Sequence, residues 1–298
     1  MRAVVTGGSG FVAGWLVRHL RESGDEVVAL DESVDIADGE ALRQAVVAAE
    51  PEAIYHLAAF THVGRSWEEP REVFRVNATG TLELLLAAGA CSPRPRVLVV
   101  GSSEVYGVVR PEELPVGEDT PLRPVSPYAA SKVAAEYLAL QHHLGHGLET
   151  IRVRAFNHIG PGQNPGFVVP ALARRVAEAK ARGERTVAVG NLSARRDFTD
   201  VRDVVRAYRL LVTDGEAGGV YNVCSGHDVS IDDIAGRLLR LAGADLDLVT
   251  DPGLVRPVDI PVLRGDPSRI TAATGWTPTI DLDTTLADVV AGAMQTVD

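Results

Sequence analysis

Apolar residues along this chain fall into two alternating kinds of run. Short, nearly continuous apolar stretches predict buried strands at 2–6, 26–30, 53–59, 96–100 and 149–154. Between them the apolar positions recur at helical spacing: after Gly10 through Trp15, Leu16 and Leu20, then over about 38–49, 70–90 and 126–144. Strands that are apolar on both faces, separated by helices, predict a parallel sheet covered on both sides. After the last of these strands the pattern loosens. A polar stretch with a Gly160-Pro161-Gly162 bend leads to a helix that begins near Val169 and carries Arg174 and Arg175.

Composition narrows the class. The chain has 298 residues, 46% hydrophobic and 23% charged, which suits one large globular unit or two intimate ones. A formal charge of −11 argues against a protein that coats nucleic acid or an anionic membrane, while leaving room for a local basic pocket. The two cysteines, Cys91 and Cys224, lie far apart and lack metal-ligand spacing, so reduced thiols in a cytoplasmic protein are expected. No apolar run is long enough to span a bilayer, and a strand pattern from Arg2 leaves no leader to expect. His142 and His146 stand one helical turn apart, but nothing nearby completes a ligand set, so no metal site is expected.

Candidate chemistry gathers at the strand ends. Gly7, Gly10 and Ala13 form a Gly-x-x-Gly-x-x-Ala loop between the first strand and the first helix. Gly7 permits the tight turn, Gly10 lets backbone approach a pyrophosphate, and Ala13 lets the helix sit close to the strand. Asp31 ends the second strand, where a carboxylate can bind both hydroxyls of an adenosine ribose and repel a 2′-phosphate. No arginine follows nearby in sequence, which favours NAD over NADP, although Glu32 and Asp35 make a solvated acidic turn a competing reading. Ser102, just beyond the strand at 96–100, can hydrogen-bond a substrate oxygen; a polar turn is the bland alternative.

Ser126-Pro127-Tyr128-Ala129-Ala130-Ser131-Lys132 opens a helix, with serine as cap and proline in the first turn. Tyr128 and Lys132 then share one face. An ammonium beside a phenol favours the phenolate, so a lowered Tyr128 pKa and a proton-transfer role are expected. His56, inside an apolar strand, reads as a satisfied core histidine, and Trp15 and Trp276 as packing residues. Arg175 and Arg202 read as surface salt-bridge partners. Arg196 and Arg256 stand out in an acidic chain, because a guanidinium fork matches phosphate oxygens.

Taken together these residues resemble the extended short-chain dehydrogenase/reductases, and their wording is closest to the GDP-6-deoxy-4-keto-mannose reductases, relatives of the GDP-mannose 4,6-dehydratases. The segments that carry the likeness are Thr6-Gly7-x-x-Gly10-x-x-Ala13, His62-Val63-x-x-Ser66-Trp67, Ser102-Ser103-Glu104-Val105-Tyr106-Gly107, Tyr128-x-x-x-Lys132, Phe156-Asn157-His158-Ile159-Gly160-Pro161-Gly162-Gln163, Gly190-Asn191-Leu192, Arg196-Asp197-Phe198-Thr199-Asp200-Val201-Arg202-Asp203 and Tyr221-Asn222-Val223-Cys224-Ser225-Gly226. The resemblance implies an α/β fold: a Rossmann-type doubly wound parallel sheet at 1–157, completed by about 186–223. A smaller, discontinuous substrate-binding part would span 158–182 and 224–298.

The same resemblance implies a catalytic set of Ser102, Tyr128 and Lys132, with Glu104 at the position where dehydratases keep a general base. Cofactor contacts would come from Gly7, Gly10, Phe11, Val12, Asp31, Asp35, Ile36, Leu57, Ala58, Ala59, Asn77, Tyr128, Lys132 and His158. Substrate contacts would come from Ser102, Ser103, Asn157, Val169, Arg174, Arg196, Arg256 and Asp259. The implied partner is a nucleotide-diphosphate sugar, with NAD(H) favoured and NADP(H) accepted, in a homodimer joined through the helices at about 70–90 and 126–144. Reduction of a 4-keto-6-deoxy-hexose is the expected reaction. A 4-epimerase or 4,6-dehydratase holding its NAD is the enzymatic alternative, and a non-catalytic dinucleotide sensor the alternative of another class.

Overall fold

Burial on both faces builds the sheet. The computed structural model describes residues 1–254 and 260–296, and counts and absences refer to these. The first half alternates β1 (Arg2–Thr6), α1 (Phe11–Glu22), β2 (Glu26–Leu30), α2 (Gly39–Ala48) and β3 (Ala53–His56). Next come α3 (Pro70–Phe74), a π-helical turn (Arg75–Thr79), α4 (Gly80–Gly89), β4 (Arg96–Val100), α5 (Pro127–His146) and β5 (Thr150–Ala155). The expected helix over 70–90 is therefore one helix widened by a π turn in its middle. The third strand stops at His56 rather than running to Ala59.

Side chains alternate between the two faces of these strands. Ala3, Val5, Tyr55 and Leu98 join one core under α1, whereas Val4, Ile54, Val97 and Val99 join the other with Leu42, Leu84 and Ala139. A strand apolar at every position can satisfy both cores, which is why the runs are continuous. The second half adds β6 (Asn157–Ile159), α6 (Val168–Ala181), β7 (Thr186–Val189), β8 (Arg195–Asp200), α7 (Val201–Asp214) and β9 (Val220–Val223). The strands β2-β1-β3-β4-β5-β9 form one parallel sheet in that order, bearing out the doubly wound α/β expectation. Chain order reverses between β1 and β3, so the crevice for a ligand opens there.

The remaining elements are β10 (Asp228–Ser230), α8 (Ile231–Ala242), β11 (Asp247–Thr250), β12 (Val262–Leu263), α9 (Ser268–Thr274) and α10 (Leu282–Gln295). Small sheets β10-β8-β12, with β6 beside β8, and β11-β7 lie apart from the main one. A second core packs Val169, Leu172 and Val176 of α6 against Ile234 and Leu238 of α8 and Leu286 and Val289 of α10. The cores divide the chain differently from the expected boundaries. Val187 and Val189 of β7 and Phe198 of β8 join the second core, while Trp276 and Ile270 join the first. The alternating burial of Thr186–Val189 turns its valines onto α6, and Trp276 is anchored by its indole N–H on the Asp203 carbonyl at 3.0 Å.

Two buried acids fasten the frame. Glu136 takes a bidentate pair from Arg154 at 2.7 and 3.0 Å and so ties α5 to β5. Asp197 of β8 accepts from the Ser225 N–H and hydroxyl and the Gly226 N–H at 2.6–2.9 Å, joining the second part to the loop after β9.

Candidate active site

A cleft of about 1150 Å³ runs along the carboxyl ends of the main sheet. At its base lies the glycine loop. Gly7 has φ +71°, and a Cβ there would sit 2.9 Å from the Ala58 backbone, so only glycine lets β1 turn against β3. Gly10 precedes α1, and Gly10, Phe11 and Val12 line the cleft with the helix N-terminus. Unpaired N–H groups and the helix dipole there suit a pyrophosphate. Tyr208 of α7 also reaches the cleft, and its buried hydroxyl has no hydrogen-bond partner among the described residues. The glycine loop and the helix end beside it fit a dinucleotide.

Asp31, Asp35 and Ile36 line the cleft where it meets the end of β2, and Leu57, Ala58 and Ala59 line it after β3. The Asp31 carboxylate accepts the Ser33 N–H at 2.9 Å, and hydrogen bonding to Ser33 lowers its pKa. Glu32 accepts from the Ser9 hydroxyl, drawing the glycine loop to the end of β2. Sequence proximity misled in one respect. Arg75, on the π turn and 40 residues from Asp35, lines this end and bonds Asp35 at 2.8 Å and Glu72 at 2.8 Å. An arginine does stand near the acids, held by two carboxylates.

Asn77 departs from expectation. Its side chain is buried behind the wall, where it accepts the Phe60 N–H at 2.7 Å and donates to the Phe60 carbonyl and Ser131 Oγ. It holds the segment after β3 instead of lining the cleft.

The catalytic candidates converge. Ser126 Oγ caps α5 by accepting the Ala129 N–H at 3.1 Å, which starts the helix so that Tyr128 and Lys132 face the end of β4. Ser102, Ser103, Glu104, Tyr128 and Lys132 all line the cleft. Lys132 Nζ donates to the Val100 carbonyl at 2.9 Å. The expected fall in the Tyr128 pKa is not found. Burial pushes the phenol up to about 12, the Glu104 charge adds to the rise, and a hydrogen bond with Ser102 offsets part of it. Burial pushes Lys132 down to about 8. Desolvation opposes the charged form of both groups and is the largest influence on each.

The other side of the cleft is built from β6 and from loops. Asn157 and His158 line it, with the His158 Nδ1–H donating to the Phe156 carbonyl at 3.2 Å and burial lowering its pKa. Thr61, His62, Val63, Gln163, Asn164 and Phe167 complete this wall; His62, Val63 and Gln163 belong to segments that carry the likeness, but none of the six was given a role from sequence. Thr61–Val63 follow the third strand's carboxyl end, a position that could have flagged them. Tyr208, mid-helix, gives no such signal.

Three expected substrate contacts are not brought to the cleft wall. Val169 is fully buried in the second core. Arg174 points outward and lies 3.6 Å from Glu178. Arg196 is buried, donating to the Ile260 carbonyl at 2.5 Å and the Arg195 carbonyl at 2.9 Å. Arg256 and Asp259 lie outside the described residues. Arg202 behaves as a salt-bridge residue, paired with Asp200 at 2.7 Å and Asp288 at 2.8 Å.

Known proteins share this architecture over its full length. GDP-6-deoxy-D-mannose reductase of Pseudomonas aeruginosa is 36% identical over 293 residues, covering 97% of this chain and 96% of the relative. The structure of RMD from Pseudomonas aeruginosa complexed with NADPH has a TM-score of 0.90 at 34% identity and covers 99% of this chain and 100% of the other. UDP-glucose 4-epimerase of Thermus thermophilus, solved with NAD, has a TM-score of 0.89 at 30% identity, covering 98% and 99%. The family model described as GDP-mannose 4,6 dehydratase matches residues 30–289. Matched over that stretch, the chain belongs to the GDP-mannose 4,6-dehydratase family.

Proposed function

We propose that this protein is an NAD(P)H-dependent reductase of the C4 ketone of a nucleotide-linked 4-keto-6-deoxy-hexose. The substrate would be GDP-4-keto-6-deoxy-mannose and the product a GDP-6-deoxy-hexose such as GDP-rhamnose. The observation that carries the reading is the buried Ser102–Tyr128–Lys132 set at the end of β4, in a chain similar to a reductase along its whole length. When bound, the dihydronicotinamide supplies the hydride that C4 receives.

The protein's own residues do the rest. Ser102 donates a hydrogen bond to the ketone oxygen and polarises it. Tyr128 gives its proton to that oxygen as C4 gains hydride, so the ketone becomes a hydroxyl. A phenol held up to about 12 is protonated at neutral pH, the state a donor needs. The Lys132 ammonium then favours the phenolate left behind. Gly7, Gly10, Phe11 and Val12 hold the pyrophosphate, and Asp31 the adenosine ribose. With Asp31 and Glu32 at that end and Arg75 tied to Asp35 and Glu72, NADH is favoured over NADPH. Asn157 and His158 face the sugar and nicotinamide side.

We further infer a homodimer through α3, α4 and α5. These helices leave Phe74, Leu86, Tyr137 and Leu144 exposed, at 40%, 52%, 55% and 74%. The buried free thiols Cys91 and Cys224 suit a reducing cytoplasm.

A second reading rests on Glu104. It lines the cleft beside Ser103, where a carboxylate could take a proton from C5 in a dehydration. One assay separates the readings: oxidation of added NADH or NADPH with GDP-4-keto-6-deoxy-mannose. Net oxidation supports the reductase. Turnover of a nucleotide sugar without it points to an epimerase or dehydratase. Dinucleotide binding with no turnover points to a sensor, which retention of Ser102, Tyr128 and Lys132 argues against.

A further inference from the structure

Behind the cleft, five residues are linked in series by hydrogen bonds, one link passing through the main chain of Asn77. Thr6 Oγ1 lies 2.8 Å from His56 Nδ1, and His56 Nε2 lies 2.9 Å from Thr81 Oγ1. The Thr81 hydroxyl donates to the Asn77 main-chain carbonyl at 2.6 Å. Asn77 Nδ2 donates to Ser131 Oγ at 2.8 Å, and Ser131 donates to the Tyr128 carbonyl at 2.7 Å. Every member is buried, with Ser131 and Asn77 at 0% and 1% exposure. The run begins at the last residue of β1, beside Gly7, and ends on α5 between Tyr128 and Lys132.

Proton counting fixes its direction. The single Thr81 proton goes to the Asn77 carbonyl, so His56 Nε2–H must be the donor to Thr81. His56 Nδ1 is then bare and accepts the Thr6 proton, and Thr6 Oγ1 in turn accepts the Ala58 N–H at 3.1 Å. One neutral tautomer satisfies every donor. Burial and the Lys132 charge push the imidazole down to about 3, so it stays in that form at working pH. Asn77 belongs to the π turn, a helix irregularity that recurs at functional sites. The same asparagine clamps Phe60, so the run also grips the wall after β3.

We infer that His56, through this run, is a positioning residue that couples the dinucleotide loop after β1 to the placement of Tyr128 and Lys132 on α5. Loss of the Thr81 hydroxyl strands the His56 Nε2–H. The ring can recover only by moving its proton to Nδ1, which leaves the Thr6 proton without an acceptor. A break in the middle is therefore felt at both ends. The catalytic end rests on the reductase reading; the dinucleotide end does not.

Thr81→Val keeps the shape and deletes the central hydroxyl, and Ser131→Ala deletes the far link. Neither residue lines the cleft. The test measures the Kd for NADH and NADPH from the fluorescence of the bound dinucleotide, with kcat and KM on the keto sugar, for both variants and the double variant below their melting temperatures. Each single change is expected to raise the dinucleotide Kd about threefold and lower kcat about tenfold, with sugar KM within about twofold. The double variant should lose no more than the worse single one. Lower melting temperatures with unchanged Kd and kcat, or losses that add in the double variant, would overturn the proposal. Should Thr81→Val not fold, Ser131→Ala decides alone: a raised Kd supports coupling and an unchanged one refutes it. A wild-type protein that binds dinucleotide but leaves the keto sugar untouched would instead count against the reductase reading, with the Kd comparison intact.

Discussion

The glycine-loop half of the cleft and the half proposed to take the sugar are made by different means. Backbone and strand ends build the first: Gly7 at positive φ, the N-terminus of α1, and Asp31 at the end of β2. Side chains from separate segments build the second, with Thr61–Val63 after β3, Asn157–His158 along β6, and Gln163–Phe167 before α6. The first half depends on a local geometry that few residue types allow. The second depends on what is brought together in space, and many residue types could serve there. Ser102, Tyr128 and Lys132 sit at the seam, so both halves act on the same few atoms.

The largest effect should come at the seam. Tyr128→Phe is expected to lower kcat by about 10³-fold, within the range for a lost proton donor, while leaving the Kd for NADH unchanged. Normal turnover in that variant would remove the proton-transfer role. Gly7→Val tests the backbone-built half. At φ +71°, with Ala58 backbone 2.9 Å from the new Cβ, it should destabilise the fold by about 2 kcal/mol and abolish dinucleotide binding. A wild-type melting temperature with intact binding would break the comparison on that side.

The pH profile gives a smaller effect with a definite sign. Tyr128 stays protonated up to about 12, so its loss does not limit reduction near neutrality. Lys132 is cationic below about 8 and neutral above. The reductive rate should therefore be flat at neutral pH and fall as pH rises through about 8. A rate that climbs through that window would mean the ammonium is not needed. For stability the sign is opposite. The folded Lys132 pKa lies below the ordinary lysine value of 10.5, so burying the cation costs stability below about 8, and that cost is relieved as pH rises toward 10.5. The smallest effect belongs to Arg174, which points away from the cleft beside Glu178. Arg174→Ala should change sugar KM by less than about twofold, as for an exposed ion pair. A tenfold rise would return it to the sugar site.

The same contrast decides how much could be read from sequence. The strands, the glycine loop and the place of Asp31, Tyr128 and Lys132 on the cleft were legible, because each is a short segment whose residues answer to their neighbours. His56 was legible as a satisfied core residue, and both of its ring nitrogens are bonded. Arg75 was not, since its approach to Asp35 needs the π turn and the packing of two elements 40 residues apart. Asn77 misled because its likeness gave a neighbourhood but not which way the amide faces. The Tyr128 pKa misled because helical spacing shows a nearby lysine and says nothing of burial, which is the largest influence here.

The central claim is that hydride from an external dinucleotide arrives at sugar C4 while Tyr128 protonates the oxygen. It is tested most directly by reducing GDP-4-keto-6-deoxy-mannose with NADH or NADPH carrying deuterium at the transferable position. The expected result is one deuterium at C4 of the product for each dinucleotide oxidised. Product formed without deuterium at C4, or with no dinucleotide oxidised, would contradict it.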